Sequence, residues 1–234
     1  VNSATLALDG GVTISNRTLN LDGTGVAGAG ALRSISGLNT WGGNVNLAGT
    51  MQLAYVGVDT GTLTLSGKIN GGSSTLQKTG AGTLIISGNG NNQASTVVGA
   101  GTVFQLGQDN VPVFVSTSGT LQGNGRIGVL NMTAGQNGTV TPGTQTSSVA
   151  VLTTSGISAQ SSVGVFSFDL NTSGAVAGTA FDQIVVNGNV NLSGRPVLNV
   201  NLNFVPTARD TIYTIINNDG SDPVVGTFNG QAEG

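Results

Sequence analysis

Apolar and polar residues alternate in short runs along this chain, and the runs close on glycine. LALDG at Leu6–Gly10, LNLDG at Leu19–Gly23, VNLAG at Val45–Gly49, LTLSG at Leu63–Gly67 and LIISG at Leu84–Gly88 share the form, and VNLSG at Val190–Gly194 repeats it late. Period-two alternation marks a strand with one buried face. The runs start at positions 6, 19, 45, 63 and 84, spaced by 13, 26, 18 and 21. Repetition at a period of about 20 residues marks coils stacked into a solenoid. The pattern predicts that Leu6, Leu8, Leu19, Leu21, Val45, Leu47, Leu63, Leu65, Leu84 and Ile86 stack as interior ladders. At a rise of about 4.8 Å per coil, residues 1–160 would make about eight coils in a shaft roughly 40 Å long.

After residue 160 the predicted strands lengthen, to VGVFSFDL, FDQIVVNG, RPVLNVNLNF and TIYTIINN. The expected organisation is a β-solenoid over 1–160 and a β-rich capping module over 161–234, because the open end of a solenoid exposes unpaired backbone.

Composition agrees with an all-β chain. Charged residues are 7% and glycines are 39 of 234, against roughly 25% and 7% in average soluble domains. The polar surface must come from Asn, Thr, Ser and Gln, which suit turns and outward strand positions. The net charge of −3, with seven Lys plus Arg that do not cluster, argues against a nucleic-acid partner. No apolar run is long enough for a transmembrane helix. The chain begins at Val1 with no initiator Met or signal peptide, and is expected to be a processed product or a fragment.

Chemistry is sparse. Histidine and cysteine are absent, which excludes His triads, thiol nucleophiles and their metal sites. Lys68, Lys78, the Asp residues and Glu233 are the only candidate bases for an activated hydroxyl. Asp9 and Asp22 would meet only if their coils stacked them, and they read more simply as turn residues before glycine. Asp219 and Asp222 offer half of a calcium loop, and are read as a turn. Trp41, Tyr55 and Tyr213 are too dispersed for a sugar platform, and Trp41 is expected to cap a stack. Thr62-x-Thr64 resembles one rung of an ice-binding ladder, but the pair does not recur at each coil. No catalytic, cofactor-binding or metal-binding residue is assigned.

KTGAGTLIISGNGNN at Lys78–Asn92, followed by STVVGAGTV at Ser95–Val103, resembles the passenger-associated repeat of bacterial autotransporters. GTLQGNGRIGVLNMTAGQNGTVTPG at Gly119–Gly143 resembles the next block of that family, and Asp182–Gly194 and Tyr213–Gly234 resemble the end of the passenger. The resemblance implies a secreted right-handed parallel β-helix on a Gram-negative cell surface. It also implies a membrane barrel and a further hairpin that this chain does not contain. The expected function is a non-catalytic structural or adhesive shaft segment. One alternative is the subunit of an extracellular filament completed by strand pairing between copies, and a second is a polysaccharide-degrading β-helix enzyme. Expected partners are neighbouring copies at strand edges, and host or cell-surface glycans or proteins.

Overall fold

A computed structural model describes residues 4–145, 147–174, 176–205, 211–220 and 222–232. Among these, one 3-10 turn at Val26–Gly28 accompanies 24 strands. All pairings between these strands are parallel, in three sheets. The first sheet runs Leu6–Asp9, Leu32–Ser36, Leu53–Val58, Thr75–Thr79, Ser95–Val98, Val113–Val115, Arg126–Met132, Val151–Ala159, Gln183–Val186 and Ile216–Asn218, with Val190–Leu192 and Val224–Gly226 alongside its end. The second runs from Thr13–Ile14 through Thr62–Leu65 and Thr83–Ile86 to Val197–Leu202. The third holds Leu19–Leu21, Val45–Leu47 and Ile69–Asn70. The chain is thus an all-β parallel β-helix, its ten first-sheet rungs making a stack roughly 43 Å long at about 4.8 Å per rung.

Coil length varies along the stack. Leu6 pairs with Leu32, Leu32 with Val56, Val56 with Lys78, Lys78 with Val98 and Val98 with Val115. The offset between register partners therefore falls from 26 through 24, 22 and 20 to 17. Val113 then pairs with Leu130, Leu130 with Ile157, Ile157 with Val190 and Val190 with Val224, so the offset climbs again from 17 through 27 and 33 to 34. The change near residue 160 is therefore one of coil length. The sheets themselves run through it, with Thr139–Val140 pairing Val165–Leu170 and Val151–Ala159 pairing Gln183–Val186.

The interior is a single apolar column of ladders. In the second sheet Leu63, Leu84, Val103, Leu121, Val140 and Phe166 stack in register, and all are buried. Each such side chain contributes about 1.5–3 kcal/mol before entropy. The expectation of one shared set of ladders needs correction. The strand-glycine motif lies on the first sheet at Leu6, on the third at Leu19 and Val45, and on the second at Leu63 and Leu84. Only Leu19 with Val45, and Leu63 with Leu84, stack directly. Leu6 remains 39% exposed.

The closing glycine also has more than one physical cause. Gly10 and Gly23 adopt φ of 77° and 78°, a left-handed region that glycine enters without a steric penalty. Gly67 and Gly88 have no such φ. A Cβ on Gly88 would strike the carbonyl oxygen of Gly67, and one on Gly67 that of Gly43. One short word in the sequence thus serves a turn in some coils and a close inter-coil approach in others.

Candidate functional site

Polar side chains inside the stack are the first place to look for chemistry. Lys78 occupies an interior position between Val56 and Val98 and is fully buried. Its Nζ donates to the carbonyl oxygens of Thr79 (2.8 Å), Gly80 (2.8 Å) and Ala100 (3.2 Å). Burial pushes the ammonium down to about 8, against a smaller upward pull from Asp59. All three protons are directed at backbone oxygens of the corner, so the group ties two coils together and no hydroxyl is among its partners.

A second polar cluster sits where the third sheet stops. Asn91 Oδ1 accepts the backbone N–H of Ile69 (2.7 Å), and Asp109 Oδ1 accepts the N–H of Asn91 (2.8 Å). Asp109 Oδ2 also accepts from Asn91 Nδ2 (2.6 Å) and Gln105 Nε2 (3.0 Å). The three side chains are buried. In the coils above, the equivalent N–H groups bond to carbonyls of the next strand, as Val45 does to Lys68. Here side-chain oxygens continue the ladder.

Asp182 is the third buried group, with no exposed surface. Its two carboxylate oxygens accept the N–H groups of Ala150 and Asp169, each at 2.8 Å. Burial pushes it up to about 7, opposed by those two N–H bonds and reinforced slightly by the charge of Asp169.

The outer surface carries ordered columns. Thr62, Thr83, Thr102, Thr120 and Thr139 are consecutive register partners in the second sheet. The Thr62 position thus recurs in five coils, while the Thr64 position continues as Ile85, Phe104 and Gln122, so the Thr-x-Thr pair does not recur at each coil, as expected. Uneven coil length hid the column in the sequence. On the third sheet, Asn46 donates to Asn20 and Asn70 donates to Asn46, at 2.9 and 3.0 Å. Arg33 forks onto one oxygen of Asp59, a partly exposed pair of the kind that adds little stability.

The residues singled out in the sequence do not converge. Asp9 accepts from Ser36 Oγ on the first sheet, whereas Asp22 follows a strand of the third. Trp41 is buried, with Nε1 donating to the carbonyl of Arg17 (2.9 Å). Tyr213 packs edge-on against Phe181 at a centroid distance of 5.2 Å, and Tyr55 lies in the first sheet. Near Asp219 and Asp222, Asn218 Nδ2 donates to the Asp222 carbonyl. Among the described residues no group of three or more acidic side chains is placed to hold a metal. Glu233 lies outside the described residues. Sequence reasoning missed Asn91, Gln105, Asp109 and Asp182. The only signal for the first three was the lapse of the strand-glycine pattern at LGQDNVP, Leu106–Pro112.

Surface concavities are shallow grooves. One of about 530 Å³ at the first coil is lined by Leu6, Leu19, Leu21 and Asp22, and one of about 330 Å³ by Asn91, Asp109 and Arg126. Among the described residues no helix is long and apolar enough to cross a membrane. Comparison with protein-family models, with curated proteins and with solved structures returns no match.

Proposed function

We propose that this chain is a non-catalytic shaft segment of a secreted bacterial surface protein of the autotransporter type, presenting an adhesive or spacing surface away from the cell. One observation carries the reading: the buried groups with chemical potential, Lys78, Asp109 and Asp182, direct their side-chain hydrogen bonds at neighbouring coils and corners. A shaft needs just such inter-coil ties, because each rung is held only by its neighbours. The sequence resemblance at Lys78–Val103 supplies the expected location. The test is expression of the full-length parent in a Gram-negative host, followed by antibody labelling and protease shaving of intact cells. Labelling and shaving are expected, and protection from protease until lysis would reject the surface assignment. A broad glycan panel should show no cleavage, and reproducible product release would favour the enzyme reading.

The filament reading is favoured by a separate observation. Val200, Leu202 and Val224 occupy inward positions, as register partners of Phe168, Leu170 and Val190, yet are 45%, 51% and 48% exposed. Exposed strand edges with apolar inner faces invite further strands. Sedimentation over a concentration series separates the readings: concentration-dependent polymers support the filament, and a constant monomer supports the shaft alone.

A further inference from the structure

Asparagine followed by glycine is a latent reactive pair. Glycine has no Cβ to hinder its own nitrogen. Once that nitrogen gives its proton to solvent base, it can attack the side-chain carbonyl carbon of the asparagine. The N–Cγ bond forms, the Cγ–Nδ2 bond breaks, and Nδ2 takes up a proton and leaves as ammonia. Water then opens the succinimide ring at one carbonyl to give aspartate, or at the other to give isoaspartate. Nothing is oxidised or reduced, and water is the only co-reactant.

Six asparagines precede glycine in this chain: Asn70, Asn89, Asn124, Asn137, Asn187 and Asn229. Exposure does not separate them, because all but Asn70 are exposed. Hydrogen bonding does. The reaction needs a glycine N–H open to base and an asparagine side chain free to turn onto it. The Gly71 N–H donates to Asn92 Oδ1 (2.9 Å), and Asn70 Nδ2 donates to Asn46 Oδ1 (3.0 Å). The Gly125 N–H donates to the Gln105 carbonyl (3.0 Å). Asn89 Oδ1 holds the N–H of Gln108 in the next coil (2.7 Å), and Asn137 Oδ1 holds that of Ser118 in the coil before (3.2 Å). Four pairs therefore have at least one reacting group engaged by a neighbouring coil. Among the described residues, the side chains of Asn187 and Asn229 have no hydrogen-bond partner, and neither do the N–H groups of Gly188 and Gly230. These two pairs differ in room. A Cβ on Gly188 would strike the Ser155 carbonyl oxygen, whereas Gly230, at φ 73°, has nothing within 4 Å of that position.

We propose that Asn229 is the principal site of spontaneous succinimide formation in the folded chain, followed by Asn187, and that the stack protects the other four. Each event adds one negative charge to a net charge of −3, and isoaspartate also lengthens the backbone by one methylene. At Asn229 the change falls after the edge-on contact of Phe228 with Phe166, at a centroid distance of 5.7 Å, so that packing is kept. Among the described residues the nearby strand Val224–Gly226 pairs only with Val190–Leu192. Charge added beside an edge strand opposes further strand pairing.

The test is timed incubation of the whole chain at pH 8, folded and in denaturant, with peptide mapping by mass spectrometry and enzymatic labelling of isoaspartate. In denaturant all six pairs should react at similar rates. In the folded chain Asn229 should react fastest. Asn70, Asn89, Asn124 and Asn137 should react at least about fivefold more slowly, the factor expected for one hydrogen bond that must first break. Any of these four matching Asn229, Asn187 overtaking it, or no reaction at Asn229 in the time that denaturant exhausts it, overturns the proposal. Asn46→Ala combined with Asn92→Ala frees both reacting groups at Asn70 and should speed reaction there, and an unchanged rate rejects hydrogen bonding as the source of protection. If that variant does not fold, the ranking of the six sites in the unmodified folded chain decides.

Discussion

The upper and middle coils close the same side of the helix by different means. In the first three coils a third sheet does so, with Leu19, Val45 and Ile69 in one ladder and Leu21 over Leu47 in the next. Below Ile69 the offset between register partners falls from 22 to 17, and too little chain remains to form a third strand. The ladder is continued by Asn91 and Asp109, whose side chains accept the N–H groups that a strand would have satisfied. Apolar closure draws its stability from area removed from water. Polar closure draws its stability from complete pairing, and a partly paired network is worse than an apolar one. The two regions should therefore fail differently.

The largest effect is expected at the polar corner. Asp109→Ala leaves the Asn91 N–H without an acceptor and takes one of two acceptors from Asn91 Nδ2 and from Gln105 Nε2, which keep the carbonyls of Gly88 and Gly107; it should cost about 4 kcal/mol by denaturant titration, at ~1–3 kcal/mol for the buried orphan and less for each amide that loses one of its two bonds. Adding Gln105→Leu should return part of that loss, because the second change removes a buried amide that Asp109→Ala leaves only half paired. On the apolar side, Ile69→Ala should cost about 3 kcal/mol, and a second apolar truncation at the distant Val103 should add to it. Equal recovery or equal additivity in both regions would erase the distinction.

Lys78→Met tests a polar tie placed inside the apolar ladder. It nearly keeps the length of the side chain and removes three N–H donors, and should cost about 1–2 kcal/mol at pH 7. The pH dependence is sharper. A lysine lowered to about 8 when folded loses its linked stability as pH falls through about 8 and has it in full above the ordinary value of about 10.4. Thermal melts of the unmodified chain, relative to Lys78→Met, should therefore rise between pH 8 and 10. The smallest effect belongs to the outer surface. Asn46→Ala removes the middle of the Asn20–Asn46–Asn70 ladder and should cost about 0.5–1 kcal/mol, with no change in the circular dichroism of the β-sheet.

The all-β solenoid was legible because its cause is local. Alternation of period two and a glycine at the end of each run are properties of neighbouring residues, and they named Leu63, Leu65, Leu84 and Ile86 as interior correctly. What the runs could not reveal was which strand sits on which. The spacing between register partners drifts from 26 down to 17 and back up to 34, so a fixed period misassigns the ladders and hides the column of Thr62, Thr83, Thr102, Thr120 and Thr139. The candidate sites were less legible still. Asn91 bonds across a whole coil to Asp109, and Ala150 across a longer one to Asp182. Beyond the lapse of the strand-glycine pattern at Leu106–Pro112, nothing in either local sequence marks a side chain that will substitute for a backbone partner one coil away.

By itself, then, the sequence determined the strands, the class of fold and the poverty of acid–base chemistry, since each depends on residue type and near-neighbour spacing. The tertiary structure decided the register, the loss of the third sheet and the burial of Lys78, Asp109 and Asp182. Those depend on where a coil of given length returns over the one before it, and that is a closure condition on the whole coil rather than a property of any residue within it.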